Sequence, residues 1–275
     1  MNGARRPFAL KKWLGLGLTL AALLAALGAP WLAVHDPLRT DFAQSLKPPG
    51  APGHVLGTDQ LGRDLLARVL HGARLALFIG GCTVVLTALV GGALGLVAGF
   101  VERWPSTVLM RIADVQLSFP FILLAMTINA IVGLGLRNII LSLSAAGWVV
   151  YARVVRGEVL SVKQRDYVHA AAALGMSRTR LLLRHVLPNV APSIVVVASL
   201  QFSSFIVAEA AISFLGFGIQ PPTPAWGSML SESRDFLYVA WWLAAFPGGA
   251  LALTALGINL VGDWLRDVLD PKFRV

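Results

Sequence analysis

The chain has 275 residues, 56% of them hydrophobic and only 13% charged, with a formal net charge of +9. A soluble domain carries about 25% charged residues, and the mean hydropathy of +0.72 argues the same way against a soluble helical protein with a large core. The charges gather in short clusters between long apolar runs, the pattern a bilayer imposes, so the basic excess reads as loop charge rather than a nucleic-acid surface. The single cysteine, Cys82, cannot form an intrachain disulfide, and no Cys/His cluster in the sequence points to a metal site.

In chain order, Arg5, Arg6, Lys11 and Lys12 precede an apolar stretch from Trp13 to Val34. It is too long for a signal-peptide core and reads as an uncleaved first span, weakened near its end by Gly28-Ala29-Pro30. An outer loop follows, containing Leu56-Gly-Thr-Asp-Gln-Leu-Gly-Arg-Asp64. Gly57-Thr58-Asp59 is turn-like, and Asp59 is suited to cap a short helix from Gln60 to Leu70 on the membrane face. The second span runs from about Leu75 to Val101 and carries Gly91, Gly95 and Gly99 on one face, a spacing that lets helix backbones approach closely. Further spans are predicted over Ile112–Gly133, Asn138–Val155, Ala191–Leu215 and Val239–Val261. The fold class is therefore all-α, a polytopic membrane protein with six transmembrane helices. With both termini in the cytoplasm, 16 of the 23 Lys and Arg lie in cytoplasmic segments, as the positive-inside rule requires.

Between the fourth and fifth spans lies Asp166-Tyr-Val-His-Ala-Ala-Ala-Ala-Leu-Gly-Met-Ser-Arg-Thr-Arg-Leu-Leu-Leu-Arg-His-Val-Leu-Pro188. Asp166 suits an N-cap. Gly175 suits the left-handed residue that ends a helix. Ser177 is placed to cap a second short helix, and Pro188 to stop it. The expected shape is a helix–glycine–helix elbow whose four alanines, Ala170 to Ala173, offer a smooth surface to a partner. A plain amphipathic loop on the membrane is the other reading of the same residues.

Charged groups at bilayer depth are costly. Glu209 is placed to line a path or to bond a neighbouring helix, and Asp114 and Asp263 to snorkel or to pair with Arg111 and Arg266. Asn129, Gln201 and Asn259 suit interhelical hydrogen bonds. Trp31, Trp226, Trp241 and Trp242 suit an interfacial belt. No G-x-x-x-x-G-K-[ST] loop is present.

The elbow resembles the Glu-Ala-Ala motif of binding-protein-dependent ABC importer permeases. Ala170, Ala171, Gly175, Leu187 and Pro188 fall in register, with His169 where the motif has Glu. Five more segments resemble the C-type permease subunit of the dipeptide, oligopeptide and nickel branch. They are Leu56–Asp64, Trp148–Arg156, Glu209–Gly218, Pro221–Leu230 and Gly262–Pro271. The resemblance implies a type I importer permease fold, with residues 1–72 as the N-terminal segment, first helix and outer loop, 73–265 as the permease domain and 266–275 as a tail. It implies no catalysis and no cofactor on this chain, ATP and magnesium being bound by two cytoplasmic ATPase subunits. It also implies a homologous second permease, an external solute-binding protein, a location in the cytoplasmic membrane and alternating access for di- or oligopeptides. Nickel chelates, glutathione or another small solute are alternative cargoes. In such a system Asp166, His169, Ala170, Ala171, Gly175, Leu187 and Pro188 form the ATPase-coupling loop, although an ionic contact made by the motif's Glu does not carry over to His169. Thr58, Asp59, Arg63, Asp64, Pro222 and Trp226 are candidates for contact with the binding protein, the first four being equally readable as a structural turn and cap. An ion-coupled carrier would need internal repeats and paired membrane carboxylates, and a membrane enzyme a catalytic constellation. Neither is legible.

Overall fold

The computed structural model describes residues 5–101 and 104–269, with residues 5–10 described by backbone alone. Arg103, Asp270, Pro271, Lys272 and Arg274 lie outside the described residues. Every regular element described is helical, as expected, and ten α-helices are named here. Five are long and apolar enough to span a bilayer: α1 (Arg5–Leu32), α2 (Leu65–Phe100), α5 (Leu136–Lys163), α8 (Leu187–Phe214) and α10 (Trp242–Leu269).

The expected third span is not one rod. α3 (Trp104–Leu117) and α4 (Phe121–Val132) meet at 93° across Ser118-Phe119-Pro120. Pro120 forces the residue before it out of helical geometry, and α4 restarts behind the proline. Counted as one bent span, the pair brings the total to six.

α2 is one helix of 36 residues, about 54 Å long. The separate outer helix expected over Gln60–Leu70 is instead the first turns of this span. Its N-cap is Asp64, whose Oδ2 accepts from the Ala67 N–H at 2.8 Å, and not Asp59.

The glycine seam expected on α2 packs against α5, which runs parallel to it. A Cβ on Gly91 would meet the Trp148 carbonyl and Tyr151 Cβ. One on Gly95 would lie 2.6 Å from the Ala152 oxygen, and one on Gly99 would lie 2.6 Å from Val159 Cβ. α1 and α10 also meet at glycines but run antiparallel, Gly15 against Leu260 and Gly257 against Leu18.

The two ends of the bundle differ. At the start of α2, residues 36–64 fold into a compact cap. At the far end of α5 lie α6 (Asp166–Ala173) and α7 (Arg178–Leu181), then a π turn over Leu182–Val186 that leads directly into α8. α9 (Trp226–Glu232) belongs to the cap end. Its Gly227 sits against the Ala210 carbonyl of α8, and its Trp226 ring against Gly72 of α2.

Candidate functional site

At the far end of α5 the elbow has the shape its sequence predicts. After α6, Gly175 adopts φ +84°. Its N–H donates to Ala172 O at 3.0 Å, and the Met176 N–H donates to Ala171 O at 3.2 Å. These are the two bonds of a Schellman motif, which satisfies the helix's last carbonyls. A side chain at 175 would meet nothing within 4 Å, so the glycine is required by backbone conformation and not by space.

One face of the elbow is fixed to the bundle. Val168, Ala171, Leu181 and Val186, with Val190 of α8, pack with Val155, Val159 and Val162 of α5. The other face is open: His169, Ala170, Ala172, Ala173 and Gly175 are exposed, and Leu174 is 89% exposed. A shallow cleft runs between Tyr167, Ala170, Leu174, Met176, Arg180 and His185.

Three local expectations change. Asp166 is the first residue of α6 and makes no capping bond, Arg165 holding the cap position. Ser177 holds the cap position of α7 without a side-chain bond. Pro188 does not stop a helix. It lies in the first turn of α8, directly after the π turn over Leu182–Val186, and Leu187 opens that span half-buried.

The cap at the other end is tightly closed. Asp59 Oδ1 accepts from the N–H groups of Leu61 and Arg63, both at 2.9 Å. Its Oδ2 lies 2.6 Å from Arg63 Nε and 3.5 Å from Arg68 Nε. Glu232, from α9, reaches both guanidinium groups through Oε2, at 3.1 Å from Arg63 and 3.3 Å from Arg68. Two cations and two carboxylates therefore balance in a buried cluster, as buried charge requires.

Backbone bonds thread the same region. Thr58 N–H donates to Lys47 O and the Asp41 N–H to Leu61 O, while Thr58 Oγ1 donates to Gln44 O. Gly62 has φ +73° and faces the Asp41 carbonyl so closely that no Cβ fits.

This arrangement corrects the assignment of external contacts. Thr58, Asp59, Arg63, Asp64 and Trp226 are all buried, at 5% exposure or less. Their polar atoms are engaged within the chain, so these side chains are not a docking surface. Of the six, only Pro222 is exposed, beside the exposed Pro221 and Thr223. Trp226 and Trp242 also leave the expected belt: their indole N–H groups donate to Val69 O and Thr58 O. Trp31 and Trp241 remain exposed.

Within the spans, Glu209 is 2% exposed and accepts from Ser213 Oγ, one turn along its own helix, at 2.7 Å. Ser213 Oγ in turn accepts from the Ile219 N–H at 2.9 Å. The carboxylate bonds within its own helix rather than to a neighbouring one, and through Ser213 it fastens the end of α8 to its following turn. Asn129 does bridge elements, its amide donating to Phe217 O and its oxygen taking Ser142 Oγ at 3.4 Å. Asn259 accepts from Ser203 on α8, and Gln201 is half-buried on that helix. Asp114 pairs with Arg153 of α5 and not with Arg111.

The family described as "Binding-protein-dependent transport system inner membrane component" matches residues 91–275. The chain is 44% identical to the di/tripeptide transport system permease protein DppC of Pseudomonas aeruginosa, over 94% of this chain and 88% of that protein. It is 40% identical to the probable D,D-dipeptide transport system permease protein DdpC of Escherichia coli, over 98% and 92%. It is also 40% identical to the glutathione transport system permease protein GsiD of Pectobacterium atrosepticum, over 94% and 86%. The chain thus belongs to the binding-protein-dependent transport inner membrane components, multi-pass membrane permeases of ABC importers with the type I fold.

Proposed function

We propose that this chain forms half of the translocation path of an ATP-driven importer for di- or oligopeptides, and that its 166–188 elbow receives the ATPase. The observation that carries the second part is the exposed alanine face of α6, ended by the Gly175 Schellman turn and anchored to α5. A short helix with small side chains suits a groove on another protein. Peptide cargo is supported by the relatives named for di- and tripeptides, and glutathione is itself a modified tripeptide.

On this reading the partners are a homologous second permease, two cytoplasmic ATPases and an external solute-binding protein. ATP and magnesium bind the ATPases and not this chain. Residues 73–265 form the permease domain, and the chain lies in the cytoplasmic membrane with both termini and the elbow inside. Closure of the ATPase dimer moves the elbow and, with it, α5 and α8. The inward-open cavity becomes outward-open beneath the binding protein, and hydrolysis resets the cycle.

The test is native co-purification. The tagged chain is extracted gently from its own host and everything retained is identified by mass spectrometry, including small molecules released from an external binding protein. Two ATPase chains, a second permease and bound peptides are expected. A chain that purifies alone and moves solute without ATP in proteoliposomes would overturn the reading. Orientation is tested separately: Leu174→Cys in a Cys82→Ser background should react with a membrane-impermeant maleimide only from the cytoplasmic side.

A further inference from the structure

The cap brings together three side chains whose sequence spacing carries no metal signature: His35 just after α1, His54 in the cap loop, and Asp64 at the N-cap of α2. We propose that His35, His54 and Asp64 form a binding site for a divalent transition metal of the zinc type, tying the cap to the start of α2.

The geometry is close to that of a ligated site. One ligand atom from each residue lies within 4.8 Å of the other two. Asp64 Oδ1 is 2.9 Å from His54 Nδ1 and 3.9 Å from His35 Nδ1. A tetrahedral ion with bonds of about 2.0–2.1 Å separates its ligand atoms by about 3.3 Å. The two observed distances bracket that value, and rotation of the His35 side chain is what brings the remaining pair, within 4.8 Å, to it.

The donor set is also suited to the ion. Two imidazoles and one carboxylate are a borderline set that favours zinc and its neighbours over magnesium or calcium. The imidazoles are stacked, with centroids 4.9 Å apart, and the Nδ1 atoms of both lie within 3.9 Å of the same carboxylate oxygen.

The surroundings meet two further requirements. Asp64 is held by its second oxygen, which accepts from the Ala67 N–H at 2.8 Å. This fixes the carboxylate and leaves Oδ1 for the ion, the kind of outer support that orients metal ligands. Access exists on one side, since His35 is 35% exposed while His54 is 12% and Asp64 5% exposed. Binding needs both rings neutral, with the ring lone pairs directed at the ion. The proton shared between His54 Nδ1 and Asp64 Oδ1 is released to solvent or moves to the remote ring nitrogen. Three protein ligands leave a fourth position for water.

The experiment uses the full chain, purified in mild detergent without a polyhistidine tag and stripped with chelator. Zinc is titrated in equilibrium dialysis with elemental analysis, alongside a His35→Ala/His54→Ala double variant. His71, His169 and His185 remain in both and set the background. One extra zinc per wild-type chain is expected, with affinity at least tenfold above the background, and zinc should raise the melting temperature of the wild type alone. Cobalt, as a spectroscopic probe, should give the intense absorption of a four-coordinate ion in the wild type alone. Equal zinc binding by both proteins would overturn the proposal, as would a cobalt spectrum unchanged by the double substitution. An apo double variant that melts with the apo wild type rules out misfolding as the cause of lost binding.

Discussion

Replacing Gly95 by alanine inserts a Cβ 2.6 Å from the Ala152 oxygen, 2.8 Å from Val155 Cβ and 3.0 Å from Ala152 Cα. Two of these atoms are backbone, so α5 as a whole must withdraw from α2. Overpacking of this kind costs about 1–3 kcal/mol. Alanine gains up to about 1 kcal/mol over glycine in a helix interior, which offsets part of that cost. Gly92 supplies the control. It lies three residues away on the same helix and is equally buried, but a Cβ there meets only Ile194 Cδ1 at 3.7 Å, an ordinary contact. The helix-propensity gain is common to both substitutions and cancels in their difference. Gly92→Ala should therefore be neutral or stabilising, and Gly95→Ala should be less stable than Gly92→Ala by about 1–3 kcal/mol. The assay is unfolding of the purified chain in mild detergent, by heat or by titration with a denaturing detergent. Equal midpoints for the two variants would refute the seam as the determinant of α2–α5 packing.

Gly175→Val should abolish ATP-coupled uptake while leaving membrane insertion intact, because a β-branched residue at φ +84° is strained by about 1–2 kcal/mol although space is free. Gly175→Asn should be milder, and full uptake by the valine variant in proteoliposomes would refute the elbow's role. Glu232→Ala leaves Arg63 and Arg68 short of countercharge and should cost about 3 kcal/mol, the low end for a broken buried pair because Glu232 is 19% exposed. Asp114→Ala removes a half-exposed partner of Arg153 and should cost about 0–1 kcal/mol, so comparable unfolding midpoints for these two variants would contradict the buried network. Asn129→Leu should cost about 0.6 kcal/mol per lost interhelical bond, read as a small shift in the same unfolding assay. Glu209→Gln keeps an acceptor for Ser213 Oγ and should retain most ATP-driven uptake, whereas loss of uptake with normal folding would refute a purely structural role for the carboxylate.

What the sequence made legible is what depends on neighbours along the chain. The elbow is the clearest case: alanines, then glycine, then a basic helix specify a Schellman turn within eleven residues, and Gly175 adopts the left-handed conformation expected of it. The α2 seam is legible for the same reason, since a four-residue repeat places three glycines on one face. The break at Pro120 was open to reading, but the apolar run through it outweighed the proline rule. The cap was not legible. Glu232 meets Arg63 across 169 positions, and Trp242 meets Thr58 across 184, so no local pattern announces either. Asp59 looked like a helix cap because it precedes an apolar-periodic stretch. Its carboxylate instead closes a turn and pairs with arginines, and the N-cap passes to Asp64. His35, His54 and Asp64 likewise have no motif spacing, and only the folded loop makes them neighbours.

The contrast between the two ends bears on how force would cross the molecule on the reading proposed here. α6 has eight residues and α7 four, lengths at which a helix is not stable by itself. Their shape depends on the valine and leucine side chains that pack onto α5 and on direct continuity with α8. A push on the exposed face of the elbow is therefore delivered to two spans rather than absorbed by a loose loop. α5 passes it to α2 through the glycine seam, where close backbone contact leaves little slack. α8 passes it to the turn held by Ser213 and to α9, whose Gly227 rests on Ala210. The cap, with its charges paired and its turns bonded, is fastened to the start of α2 through Asp64 and Arg68. On that reading a permease built this way would convert a small displacement at the exposed elbow into rigid tilting of helices beneath the closed cap.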